Sequence, residues 1–132
     1  MYSDIAMSVY QISETLPAVS LVMKAAGEPS RLRMLKVLEA GELCACHFEA
    51  LLGVSQPTIS RHMAALRAAG LVAERREDRW TYYRLEPASA FADRLLAAIR
   101  SFGDEDPVIE ADRRRISEFQ DVPVSDFCRT RG

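Results

Sequence analysis

The chain of 132 residues has no run approaching the ~18 consecutive apolar residues of a membrane span, so no membrane partner is expected. It has only three cysteines, an odd number too small for a disulfide framework, which points to a reducing, cytoplasmic setting. Its first residues include Asp4 and Glu14 and no basic segment leading into an apolar stretch, so no secretory signal is expected. Histidine is scarce, with two in the chain, and there is no glycine-rich phosphate loop, H-E-x-x-H or nucleophile elbow. Asp104, Glu105 and Asp106 resemble a solvated linker more than a paired acid and base. An enzyme is therefore not expected, nor an organic cofactor. Nor is there a basic excess: 17 basic against 19 acidic residues give a net charge of -2, which argues against a general polyanion binder.

What remains is the composition of a folded domain, 48% hydrophobic and 27% charged, at a length suited to one core. The charge is unevenly spread. Residues 53–84 hold Arg61, Arg67, Arg75, Arg76, Arg79 and Arg84 against Glu74, Glu77 and Asp78, a local +3 inside a chain whose remainder is -5. A partner meets the local field, not the average.

Glycine and proline punctuate a series of short helical patterns. A mostly apolar stretch over 15–26 precedes Gly27-Glu28-Pro29, where Pro29 suits the first turn of a second helix bearing Leu32, Leu35 and Leu38. A third helix is expected over 46–52 with Phe48, Leu51 and Leu52 inward. A fourth starts at the N-cap Ser55, with Ile59, Met63 and Leu66 as its apolar stripe. The period then changes. Residues 71–76 and 80–85 are rich in strand formers around a polar Glu77-Asp78-Arg79 turn, which reads as a β-hairpin whose Trp80, Tyr82 and Tyr83 are structural. After Pro87 a helix resumes with Phe91, Leu95, Leu96 and Ile99 on one face. A polar helix over 108–120 and a tail ending in Phe127-Cys128 follow.

Two helices joined by Gly53-Val54-Ser55 and followed by a hairpin have the order of a winged helix-turn-helix, a mainly α fold with a small β-hairpin (α+β). A helix fits the major groove of B-DNA, and short side chains near its N-terminus reach base edges or phosphates. Ser55, Gln56, Pro57, Thr58, Ser60, Arg61 and His62 stand at that end, and Arg75, Arg76 and Arg79 on the hairpin suit the DNA backbone or minor groove. The rival interpretation is a solvated polar face; the conjunction of turn, helix and basic hairpin favours DNA. For His62 alone, local packing on the helix weighs equally.

Cys44-Ala45-Cys46 is the second chemical feature. On a regular helix, i and i+2 lie ~200° apart and cannot face one ion, whereas an extended or distorted first turn points both to one side. At a helix start, free amides and the dipole lower a thiol pKa. Alone, the pair reads as small buried apolar residues. With Cys128, 82 residues past Cys46, the chain offers three thiols, which suit a trivalent ion such as arsenic(III) or antimony(III); four-coordinate zinc needs His47 or another ligand. Cys128 reaches from its own subunit or a partner's, or stays unused in a frayed terminus.

Glu42-Leu43-Cys44-Ala45-Cys46 resembles the E-L-C-V-C signature of the ArsR/SmtB family of metal-responsive repressors. Residues 54–63 (VSQPTISRHM), continuing through Leu66-Arg67-Ala68-Ala69-Gly70-Leu71-Val72, are similar to its recognition-helix segment. The resemblance runs over about 16–102 and implies a homodimeric repressor that leaves double-stranded operator DNA when metal or metalloid binds. It also implies a DNA-binding and dimerisation domain over 1–103, dimerised through N- and C-terminal helices, with an extension over 104–132 carrying Cys128. Arsenic repressors of the family have a third cysteine three residues after the pair, where this chain has Glu49; Cys128 is then the candidate third ligand. The terminal-helix zinc site of other members needs histidine, absent from 88–103, and the N-terminal cysteines of cadmium- and lead-sensing relatives are missing. The expected inducer is arsenic(III) or antimony(III), a methylated arsenical needing only two thiols. A thiol-redox regulator and a winged-helix protein-interaction module are the alternatives.

Overall fold

The computed structural model describes residues 14–131; Asp4, with the rest of 1–13, lies outside the described residues. Each of the first two helices starts on a residue that satisfies a free amide. Thr15 caps α1 (Leu16–Ala26), and the Glu28 carboxylate accepts the Arg31 amide at 2.9 Å to open α2 (Pro29–Val37) with Pro29 in its first turn. A short 3-10 turn, Leu38–Ala40, follows. Then β1 (Leu43–Cys44) runs directly into α3 (Ala45–Leu52), and α4 (Gln56–Ala68) succeeds it after three residues. Gly53 makes that turn at φ 66°, in the left-handed region open to glycine, with its amide on the Glu49 carbonyl.

The expected hairpin is β2 (Val72–Glu77) and β3 (Trp80–Leu85), closed by Asp78 at φ 57° and Arg79. Aspartate tolerates that conformation better than most residues. The sheet has a third strand that the sequence pattern did not announce: β1 pairs antiparallel with β3, Leu43 opposite Tyr83 and Cys44 opposite Tyr82, giving the order β1-β3-β2. The chain continues as α5 (Ala90–Arg100), α6 (Pro107–Gln120) and α7 (Val124–Arg131). The expected tail therefore contains a helix. Among the described residues, no helix is long and apolar enough to cross a membrane.

The core gathers Met34 and Leu35 of α2, Phe48 of α3, Ile59, Met63 and Leu66 of α4, and Leu71, all nearly inaccessible to water. The expected stripe of α4 is thus its buried face. Tyr83 of the wing joins this core edge-on to Phe48, while Trp80 and Tyr82 are half-buried beneath Arg79 and Arg75. Of the expected face of α5, Leu96 and Ile99 are buried and Phe91 and Leu95 half-buried.

The extension is tied back to the rest. Asp106 caps α6 through the Val108 and Ile109 amides, Ile109 and Ile116 are buried, and Asp112 holds Arg33 of α2 with two hydrogen bonds of 2.8 and 2.9 Å. Lys36 is buried, yet its ammonium donates to the Ile99 and Phe102 carbonyls at the end of α5 and pairs with Glu39 at 3.0 Å. That charge is compensated where it sits.

Candidate functional site

Two surfaces carry the residues singled out above, one on α4 and the wing, the other where α3 begins. On α4, Ser55, Gln56, Pro57, Ser60 and Arg61 are exposed and Thr58 is half-buried. The Ser55 and Thr58 hydroxyls lie 3.2 Å apart, and Arg61 donates to the Thr58 hydroxyl at 3.1 Å. The first turn of α4 thus presents short polar groups on a rigid support, because Ile59, Met63 and Leu66 anchor its opposite face. His62 is turned elsewhere: its Nδ1 accepts from Arg31 of α2 at 3.3 Å and lies 3.9 Å from the Glu28 carboxylate. These contacts join α4 to α2 and are not packing within its own helix.

The wing arginines are not equivalent. Arg75 bonds the Glu42 carboxylate, with its Nη2 2.7 Å away, reaches Glu77 at 3.3 Å and lies over the Tyr82 ring. Arg76 and Arg79 are exposed and have no carboxylate partner among the described residues; Arg79 lies over the Trp80 ring. Among the described residues, Arg76 and Arg79 are therefore the wing arginines without an ion pair.

At the start of α3 the chain passes from strand to helix inside one dipeptide. Cys44 is extended, the last residue of β1 and the N-cap of α3, with 1% exposure; Cys46 lies in the first turn of the helix and is half-buried. The strand-to-helix break puts both sulfurs on one side, as the spacing argument required of any non-helical start. Cys128, 7% exposed on α7 of the same chain, completes the group: the three Sγ atoms lie within 4.8 Å of one another. Cys46 and Cys128 are joined as a disulfide and Cys44 is free. The expectation of no disulfide, drawn from cysteine count, does not hold for this pair. Counting thiols says nothing about two sulfurs that tertiary packing brings into contact.

The electrostatics also differ from expectation. Burial pushes the Cys44 thiol up, against the opposing amides of Cys46 and Ala45. Those amides act as anticipated for a helix start, but lost hydration outweighs them. His47 accepts the Cys44 amide on Nδ1 at 3.0 Å, and burial holds its imidazole below its ordinary value of 6.5, hence neutral. A neutral ring accepting on Nδ1 carries its proton on Nε2, and that atom is buried without a hydrogen-bond partner among the described residues. His47 packs instead against Phe119 of α6 and Phe127 of α7, with centroids 6.4 and 5.0 Å away. It is thus occupied in bracing the thiol loop and does not stand ready as a fourth ligand.

The chain is similar in sequence and fold to known proteins. Residues 28–74 match the model of the bacterial regulatory protein, arsR family. Over 107 residues the chain is 37% identical to arsenic resistance transcriptional regulator ArsR1 of Pseudomonas putida, covering 80% of this chain and 82% of that protein. The chain belongs to the arsR family. It is also similar to the arsenical resistance operon repressor of Escherichia coli, at 43% identity over 67 residues, but spans only 57% of that repressor's length. Among solved structures it resembles the homodimeric winged helix-turn-helix DNA-binding domain of a possible ArsR-family regulator from Mycobacterium bovis. The TM-score is 0.56 at 34% identity over 65% of this chain and 78% of that one. As an arsR-family protein the chain is a transcription regulator with a winged helix-turn-helix, not an enzyme.

Proposed function

We propose that this arsR-family regulator is a homodimeric repressor that binds operator DNA and releases it when arsenic(III) or antimony(III) binds Cys44, Cys46 and Cys128. One observation carries the proposal: three sulfurs within 4.8 Å of one another, at the N-terminus of the helix that leads into α4. Three thiolates match a trivalent pyramidal ion, and with His47 committed to the Cys44 amide the described residues offer no fourth ligand for tetrahedral zinc. Arsenous acid reacts with three thiols to form three As–S bonds and release three waters. Ligation therefore uses the dithiol form of Cys46 and Cys128, generated by a thiol reductant that supplies two electrons and two protons.

DNA is read by Ser55, Gln56, Pro57, Thr58, Ser60 and Arg61, with Arg76 and Arg79 on the backbone and Arg75 and His62 in supporting positions. The homodimeric state of the Mycobacterium bovis relative supports a dimer here. Residues 1–103 are then the DNA-binding and dimerisation unit, joined through α1 and α5, and 104–132 the arm that delivers Cys128. The exposed apolar Leu16, Leu21 and Met23 of α1 suit such a contact. Two recognition helices about one DNA turn, ~34–36 Å, apart follow from that symmetry.

The test uses the reduced full-length protein and a duplex from the DNA upstream of its own coding sequence. Arsenite is expected to weaken binding, Cys44→Ser to abolish the response, and X-ray absorption to count three sulfurs per arsenic, falling to two in Cys128→Ser. An unchanged DNA affinity, or a count of two in the wild type, refutes the proposal. The disulfide favours a second reading, in which oxidation itself is the signal. DNA release on treatment with a peroxide, reversed by a dithiol and insensitive to arsenite, would establish that one instead.

A further inference from the structure

The extension grips α3 a second time, at the end away from the thiols. Arg115 of α6 donates from Nη1 to the Leu51 carbonyl at 3.0 Å and from Nη2 to the Ala50 carbonyl at 2.7 Å. These carbonyls belong to the last turn of α3, where no helical amide remains to meet them, and a guanidinium there also complements the helix dipole. Gly53, two residues beyond Leu51, opens the turn into α4. The Arg115 guanidinium lies 5.4 Å from the Phe119 ring centroid, and Phe119 contacts both His47 and, at 4.9 Å between centroids, Phe127 beside Cys128. A continuous packed path therefore runs from Cys128 through two rings and Arg115 to the turn of the helix-turn-helix.

We propose that Arg115 is the positioning residue that converts the state of the thiol cluster into the setting of α3 against α4. The proposal rests on the function inferred above. α3 has eight residues, about 12 Å, and is held at its N-terminus by Cys128 through Cys46 and at its C-terminus by Arg115, both from one extension. A ligand held among the three sulfurs replaces the direct Cys46–Cys128 contact and re-seats Cys128 against Cys44 and Cys46, which shifts α7, and with it the packed rings. While Arg115 holds the last turn, α3 moves with the extension as one body and the Gly53 turn carries the change into α4. Without that grip the extension slides over α3, and the two conformations no longer differ in affinity for DNA, which is the only source of coupling.

The experiment compares reduced wild type and Arg115→Met, with arsenite as ligand and the upstream duplex as DNA. Arg115→Met is expected to bind arsenite with three sulfurs and an affinity within about threefold of wild type, and to bind DNA comparably without arsenite. The arsenite-induced loss of DNA affinity, on the order of 5- to 150-fold for typical couplings, is expected to shrink below about threefold. By reciprocity, bound DNA should then scarcely weaken arsenite binding. A merely structural Arg115 would lower the melting temperature and leave the ratio unchanged; that result overturns the proposal. If Arg115→Met does not fold, Arg115→Gln, which keeps a donor and removes the charge, is judged by the same ratio. Absence of any response in the wild type refutes the function above; equal responses in wild type and variant refute only the role of Arg115.

Discussion

The bond between Arg33 and Asp112 offers a test in which two substitutions remove the same hydrogen bonds at different cost. Both variants lose the pair at 2.8 and 2.9 Å that fastens α6 to α2. The difference lies in what is left behind, because the Arg33 side chain is 30% exposed and that of Asp112 only 4%. Arg33→Ala leaves a carboxylate with neither its partner nor water, and breaking a buried pair in this sense costs about 3–5 kcal/mol. Asp112→Ala leaves a guanidinium with one open side, which water can meet. Its cost falls toward the ~1.5–3 kcal/mol of a charged hydrogen bond, less the solvent screening on that side. Arg33→Ala should therefore be the more destabilising by about 1–2 kcal/mol.

Urea unfolding followed by circular dichroism resolves that gap, which corresponds to roughly 4 °C in Tm per kcal/mol at this chain length. Arg33→Met combined with Asp112→Leu should recover most of the loss, since apolar replacements of a buried pair are often neutral. The consequence reaches the cysteines, because α6 leads into α7. In reduced protein, alkylation of Cys128 should quicken more in Arg33→Ala than in Asp112→Ala. Equal stabilities, or the reverse order, would refute the argument from unequal burial.

His47 is held neutral in the fold by burial, so below its unfolded value of 6.5 the unfolded chain binds the extra proton. Its contribution is complete above pH 6.5 and is lost as pH falls below it, at up to about 1.4 kcal/mol per unit. Unfolding at pH 7.5, 6.5 and 5.5 measures this, and His47→Gln, which can still accept the Cys44 amide, should flatten the profile. Gly70→Ala places a Cβ 2.8 Å from the Ala88 Cβ at φ 71° and should cost about 1–3 kcal/mol in a thermal melt. In a salt series of DNA binding, Arg76→Ala and Arg79→Ala each remove one cation from both protomers of the proposed dimer and should each reduce the log–log slope by about two. Arg75→Ala should change it less, because Glu42 and Glu77 already neutralise that cation.

The parts of the fold that could be read from sequence are those whose cause is local. Ser55 and Gly53 bound the turn, Ile59, Met63 and Leu66 recur at helical spacing, and strand formers flank the polar turn at Asp78, so each announced itself within a dozen residues. What could not be read depends on distant partners. β1 is two residues long, too short to show a period, and exists because β3, forty residues on, supplies its hydrogen bonds. α7 has eight residues, below the length at which a helix persists alone, and its Phe127 packs on rings from α3 and α6. The same reasoning applies to the candidate thiol site. The Cys44-Ala45-Cys46 motif located two sulfurs, and the strand-to-helix break that aims them together was the condition stated for it. The approach of Cys128 across 82 residues has no local signature, because Asp112, Arg115 and the aromatic rings that steer it look like an ordinary polar helix until their partners are known. The depressed thiol pKa expected of a helix start failed for a related reason. The amides that lower it are local and legible, while the burial that outweighs them is a property of the whole packed molecule.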